Sequence, residues 1–261
     1  MPDFAVNLSM LFTELPFVER FSAAAAAGFK KVEVQFPYEL PIEQISAELE
    51  KNCQQLVLLN APAGNWAGGE RGIACHPDRS EEFRQGLDRA ICYAAGLKCK
   101  QINILSGISP VNYSHEEIEP TFINNLRYAA EKLESAGIQL LAEAINTQDI
   151  PGFFLNNSQQ AFILFDQVGH PNLKLQYDIY HMQIMEGNLI TTLQNNLDRI
   201  GHIQFADVPG RHEPQTGELN FSNIFQALDD MGYSGLTSLE YTPASSSLES
   251  LNWMKHRESD G

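Results

Sequence analysis

Basic residues are scarce in this chain: 17 lysines and arginines stand against 33 aspartates and glutamates in 261 residues, a formal net charge of -16. A field of that sign repels phosphate backbones and anionic lipid surfaces, so neither nucleic acid nor a membrane is an expected partner. Cysteine is sparse too. Cys53, Cys75, Cys92 and Cys99 form no C-x-x-C pair and fall in no histidine-rich metal spacing, which argues against a zinc module and for reduced, buried or idle thiols in a cytoplasmic protein. No stretch approaches the ~18 apolar residues of a membrane span. The first ten residues lack the basic region and apolar run of a secretory signal. No G-x-G-x-x-G follows the first strand candidate, which argues against a dinucleotide-binding open sheet.

What is present is a long alternation. With 43% apolar and only 19% charged residues, the chain has the material for one sizeable core. Its length is close to the roughly 250 residues of a single (β/α)8 barrel. Short apolar runs predict strands at Phe4–Leu8, Lys31–Gln35, Gln55–Asn60, Gln101–Leu105, Gln139–Glu143, Leu173–Asp178, His202–Phe205 and Leu236–Glu240. Amphipathic stretches between them predict helices at Pro16–Ala27, Ile42–Asn52, Ser80–Ala95, Glu116–Ala136, Ser158–Val168, Leu189–Asn196 and Phe221–Met231, with a helical tail at Ser247–Trp253. Gly28, Gly96, Gly137, Gly169 and Gly232 fall where helices should end. Asp78/Glu81 and Ser114/Glu117 have capping-box spacing. One α/β domain over residues 1–261, a TIM barrel, accounts for all of this.

The strands carry polar residues at alternate positions: Glu33 and Gln35, Gln101 and Asn103, Gln176 and Asp178, His202 and Gln204, Ser238 and Glu240. Each pair shares a face, either the barrel interior or, at some strand ends, the outside. The last four strands end in oxygen-bearing side chains, Glu143, Asp178, Gln204 and Glu240, and strand C-termini converge on the mouth of such a barrel. Three carboxylates brought together repel one another unless a proton or cation lies between them. An all-oxygen set suits Mg2+ or Mn2+ better than zinc. His181 follows Asp178 by three residues, close to the same mouth. Arg211 and Arg71 lie in the loops after the seventh and third strands, where either could hold a carboxylate or simply face solvent. The third loop, Asn65-Trp-Ala-Gly-Gly-Glu-Arg-Gly72, is either a lid or a mobile surface loop; no Lys-Ser/Thr follows its glycines, so it is not a P-loop.

Several segments resemble the hydroxypyruvate isomerase family, within the xylose-isomerase-like TIM barrels. They are Asn7–Phe12, Phe36–Tyr38, Asn65–Cys75, Asn125–Ala130, Gln176–Gln183 and Gly217–Asn220. The resemblance implies that Glu143 and Glu240 are the acid/base pair. It places Glu143, Asp178, Gln204 and Glu240 around a divalent metal, and His181, Arg71 and Arg211 against the substrate. Gln204 departs from the histidine that related ketose epimerases carry, which makes the metal site less secure, so an ion is expected and whether it is essential stays open. Ala144 departs from the proline of close members. The implied reaction interconverts hydroxypyruvate and tartronate semialdehyde, a small anionic hydroxy-carbonyl substrate, as part of glyoxylate metabolism. A 2-oxo-tetronate or ketose isomerase or epimerase, or a non-catalytic small-molecule-binding barrel, remains open at this point. A homo-oligomer is compatible with the sequence.

Overall fold

The computed structural model describes residues 2–255. Its eight strands close into a parallel barrel in chain order: β1 (Asp3–Asn7), β2 (Lys31–Val34), β3 (Gln55–Asn60), β4 (Gln101–Ile104), β5 (Gln139–Glu143), β6 (Leu173–Asp178), β7 (Ile200–Phe205) and β8 (Leu236–Leu239), with β8 paired back onto β1. β3, β5 and β6 match the sequence reading residue for residue, and the others differ by one or two residues at their ends.

Around the barrel run α1 (Phe17–Ala26), α2 (Ile42–Lys51), α3 (Ser80–Gly96), α4 (His115–Ser135), α5 (Ser158–Val168), α6 (Ile179–Met185), α7 (Leu189–Asn196) and α8 (Phe221–Asp230), then the short α9 (Ser247–Ser250) and α10 (Asn252–Lys255). Their inner faces pack against the sheet. Phe4 meets Phe205, Phe225 and Trp253 edge-on at 6.0, 5.4 and 5.7 Å, so the C-terminal tail covers the β8–β1 seam with aromatic surface. Among the described residues no helix is long and apolar enough to cross a membrane.

Three local expectations need correction or extension. The capping box at α4 forms, the Glu117 carboxylate accepting from the Ser114 backbone N–H at 2.9 Å, but the one expected from Asp78 does not. A 3-10 turn (Pro77–Arg79) precedes α3, and Arg79 becomes its N-cap without a side-chain cap. The Arg79 guanidinium clasps Glu70 and Glu82 instead. Gly96 does not end α3 in the left-handed region; Lys98 adopts that conformation, and a Cβ at Gly96 would strike Ile42. Gly96 is there for close helix packing. Finally, α6 starts directly after β6, too short for its periodicity to register; the Asp178 carboxylate caps it by accepting from Tyr180 N at 2.8 Å.

The barrel interior is layered. Ala5, Leu58 and Leu141 form an apolar floor separate from the main core. Two residues further along the same strands stand Asn7, Asn60 and Glu143, so the interior turns polar toward the strand C-termini.

Candidate active site

Parallel register sets the site. Glu143 lies beside Gln176, Asp178 beside Gln204, and Gln204 beside Ser238, two residues before Glu240. All four strand-end side chains are buried. Glu143 Oε2 accepts from Asn103 Nδ2 and Gln176 Nε2, both at 2.9 Å. Glu240 Oε1 accepts from Asn7 Nδ2 at 2.9 Å, Gln35 Nε2 at 3.0 Å and Gln204 Nε2 at 3.2 Å. The polar alternation in the strands is therefore inward-facing for Gln35 and Asn103, one of the two outcomes left open. Beneath this layer His202 Nε2 pairs with Glu33 Oε1, and Glu33 Oε2 accepts from Gln204 Nε2 at 2.9 Å.

Arg211 reaches the same place from the loop after β7. That loop is organised by the buried Asp207 carboxylate, which accepts from the backbone N–H groups of Val208, Gln215, Gly217 and Leu219 at 2.9–3.0 Å. The backbone of Arg211 takes a left-handed φ of 57°, and its carbonyl accepts from Thr242 N at 2.8 Å. Its Nη2 donates to Glu240 Oε2 at 2.6 Å and Asp178 Oδ2 at 3.3 Å. His181, in the first turn of α6, sets Nε2 at 3.5 Å from Asp178 Oδ2 and 3.8 Å from Glu143 Oε1.

Arg71 takes another position. Its guanidinium stacks 4.2 Å from the Trp66 ring centroid and donates to the carbonyls of Trp66 and Glu70. Trp66 packs on Phe36 at 4.9 Å, next in sequence to the Gln35 that touches Glu240. The loop thus stands at the β2–β3 rim of the mouth. Its far end is pinned where Gly72 and Gly107 approach so closely that a Cβ on either would strike the other's backbone.

Three buried carboxylates, Glu143, Asp178 and Glu240, surround the guanidinium of Arg211, with the Glu33–His202 pair beneath them. Burial, reinforced by the charges of Glu240 and Asp178, pushes the Glu143 carboxyl well above its ordinary range. Burial likewise raises Glu240 to about 7, with Arg211 opposing, and raises Asp178 against the same guanidinium and two backbone N–H groups. Burial, then Arg211, holds His181 neutral.

This surplus of buried negative charge fits a divalent cation. The expected four-residue ligand set is only partly assembled, however. Gln204 offers one ligating atom, Oε1, and that atom accepts from Gln176 Nε2 at 2.6 Å. Arg211 already lies between Asp178 and Glu240. Among the described residues the ligand-type atoms that converge within 4.8 Å of one another belong to Glu143, Asp178 and His181.

Sequence reading marked Glu33, Gln35, Asn103 and His202 only as members of an alternating pattern, and that pattern was the usable signal. Asp207 and Asn146 give no such signal, and Asn7 enters only as the start of a matching segment, because a single asparagine or aspartate at a strand end has many uses.

Residues 21–257 match the family model described as xylose isomerase-like TIM barrel. Hydroxypyruvate isomerase of Escherichia coli K12 is 50% identical over 254 residues, 97% of this chain and 98% of that protein. The 2-oxo-tetronate isomerase of Cupriavidus necator is 42% identical, over 98% of both chains. The crystal structure of a family 2 AP endonuclease from Brucella melitensis superposes with a TM-score of 0.95 at 42% identity, covering 98% of this chain and 99% of that one. A barrel with paired buried glutamates at its mouth, matched end to end by these relatives, is an isomerase and belongs to the hydroxypyruvate isomerase family of xylose isomerase-like TIM barrels.

Proposed function

We propose that this enzyme interconverts hydroxypyruvate and tartronate semialdehyde. The observation that carries the reading is the pair Glu143 and Glu240, buried at the ends of β5 and the β8 segment, with Asp178 and Gln204 from β6 and β7 between them.

The reaction moves a proton between adjacent carbons through an enediolate. One glutamate removes a proton from the hydroxymethyl carbon and passes it to the former carbonyl oxygen, while the other delivers a proton to the former carbonyl carbon and takes the hydroxyl proton in return, which restores both carboxyls. Positioned buried carboxylates suit this, because burial raises both carboxyls, that of Glu240 to about 7. Arg211 and the neutral His181 donate to oxygens on which charge builds up during enolisation. A divalent ion, Mg2+ or Mn2+, held by Glu143, Asp178 and Glu240 with the Gln204 amide, would act there as a Lewis acid and template. Arg71, carried on the rim with Trp66, is the cation available to the substrate carboxylate when the loop closes. The formal charge of -16 and the buried, carboxylate-rich mouth oppose a DNA backbone as substrate.

A second reading has specific support from the 2-oxo-tetronate isomerase relative: the same proton transfer on an acid one carbon longer. Incubation with hydroxypyruvate, and separately with a 2-oxo-tetronate, with product identified by NMR or by coupled reduction of tartronate semialdehyde, tests both. Turnover of hydroxypyruvate at the higher kcat/KM is expected. No turnover of either acid would leave a binding barrel.

A further inference from the structure

We propose that Asn146 fixes His181 as the tautomer with its proton on Nε2, so that His181 enters the site as a hydrogen-bond donor to a substrate oxygen and not as a metal ligand. The functional half of this inference rests on the isomerase reading of the site; the tautomer itself does not.

The argument starts from the amide. Asn146 is fully buried in the loop after β5. Its Oδ1 accepts from the backbone N–H groups of Gln148 and Asp149 at 3.0 and 2.8 Å. Its Nδ2 lies 3.0 Å from Asp149 Oδ2 and 2.7 Å from His181 Nδ1. A primary amide nitrogen has two hydrogens and no lone pair to offer. One hydrogen goes to the Asp149 carboxylate and the other to His181 Nδ1. Turning the amide over would face its NH2 against two backbone N–H groups and its carbonyl against a carboxylate, so its orientation is determined on three sides.

Nδ1 of His181 must then accept. A ring nitrogen that accepts carries no proton, so the one ring proton resides on Nε2. That nitrogen lies nearest Asp178 Oδ2 and Glu143 Oε1, at 3.5 and 3.8 Å. An N–H there meets carboxylate oxygens favourably, whereas a bare lone pair would repel them. Convergence of Glu143, Asp178 and His181 within 4.8 Å therefore marks two acceptors and one donor. His181 can polarise a carbonyl or hold an enediolate oxygen without being charged. Asn146 is a positioning residue: it touches no reacting atom and acts through the ring.

The test is a two-bond 1H–15N correlation spectrum of the uniformly 15N-labelled enzyme, with His181 assigned by H181Q among the seven histidines. The expected pattern is a pyrrole-type Nε2 and a pyridine-type Nδ1, unchanged when Mg2+ is added. Asn146→Asp supplies an acceptor opposite Nδ1, and should move the proton to Nδ1 and lower kcat about 100-fold, the size expected for losing one donor to an oxyanion, with KM far less affected. Asn146→Ala should leave mixed tautomers and a smaller loss. A wild-type ring protonated at Nδ1, a doubly protonated ring, or an Nε2 that loses its proton on adding Mg2+ overturns the proposal. So does Asn146→Asp retaining the Nε2 proton. If that variant does not fold, the wild-type spectrum alone decides. Failure of the isomerase reading shows separately, as wild-type protein that turns over neither acid.

Discussion

Arg211 Nη2 lies 2.6 Å from Oε2 of Glu240. Glu143, on the other side of the site, takes its hydrogen bonds from the neutral amides of Asn103 and Gln176. The two glutamates are matched in chemistry but not in surroundings. One is partly neutralised by a fixed cation, and the other is raised by burial and by its neighbours' charge. A cation beside one carboxyl and only amides beside the other favours a state with one ionised and one protonated, from which a two-step proton transfer can start.

Glu143→Gln and Glu240→Gln should each retain the fold and lose activity by ~10^2–10^4-fold, the usual contribution of a positioned acid or base. Circular dichroism and kcat measured on the same preparations check this. A well-folded variant with near wild-type kcat would remove that glutamate from the reaction.

The raised carboxyl of Glu240 has a consequence for stability. A carboxyl whose folded value stands above its unfolded one contributes stability that is present below the unfolded value of 4.5 and is lost as pH rises through about 7. His181, held below its ordinary value, acts in the opposite sense and loses stability as pH falls. Comparing Tm of wild type and Glu240→Gln from pH 4.5 to 8 in chelator cancels the histidine. The wild type should lose ground to the variant from pH 4.5 to about 7 and level off above it. A difference independent of pH would mean that Glu240 is not strained by burial.

Asp207 predicts an effect at a distance. Asp207→Ala strips four backbone N–H groups of their acceptor, at a cost of about 2–3 kcal/mol. That corresponds to a Tm lower by roughly 4–12 °C in a protein of this size. The same change should lower kcat, because the loop no longer delivers Arg211 to Glu240. Loss of stability with kcat intact would separate the loop from the chemistry.

Divalent ions should matter in proportion to the unneutralised charge. Exhaustive chelation is expected to reduce activity, and Mg2+ or Mn2+ to restore it, with elemental analysis following occupancy. Full activity in metal-free protein would mean that Arg211 and proton sharing suffice for the buried carboxylates.

Arg71→Ala should reduce kcat/KM for hydroxypyruvate and a 2-oxo-tetronate strongly while leaving a neutral ketose little changed, since a cation built to meet a carboxylate discriminates most against substrates lacking one. Chain length should matter less, about 1–3 kcal/mol per added carbon. Equal losses on acid and ketose would assign Arg71 to packing on Trp66 alone.

The barrel was legible because hydrophobic period and turn chemistry agree along the chain: β3, β5 and β6 were delimited to the residue. The strand-end set was legible for the same reason, since topology alone brings Glu143, Asp178, Gln204 and Glu240 to one rim. What could not be read was side-chain direction within that rim. Whether Gln204 turns its oxygen toward an ion or toward Gln176 depends on neighbours from other strands. The entry of Arg211 depends on a loop folded around Asp207 through backbone donors, which leave no trace in residue type. Asn146 was invisible for a related reason: its meaning comes from α6, a helix of seven residues that periodicity could not find.

The amide layer between the apolar floor and the carboxylates has a consequence for how such a barrel can change. Asn103, Gln176 and Gln204 hold the glutamates with groups that neither gain nor lose protons in water. Through Gln204 they also reach Glu33, which pairs with His202, so one amide links the carboxylates of the mouth to a second buried ion pair before the floor of Ala5, Leu58 and Leu141 is reached. New substrates can be accommodated by exchanging loops at the rim, while the tiers beneath keep the same strands in register.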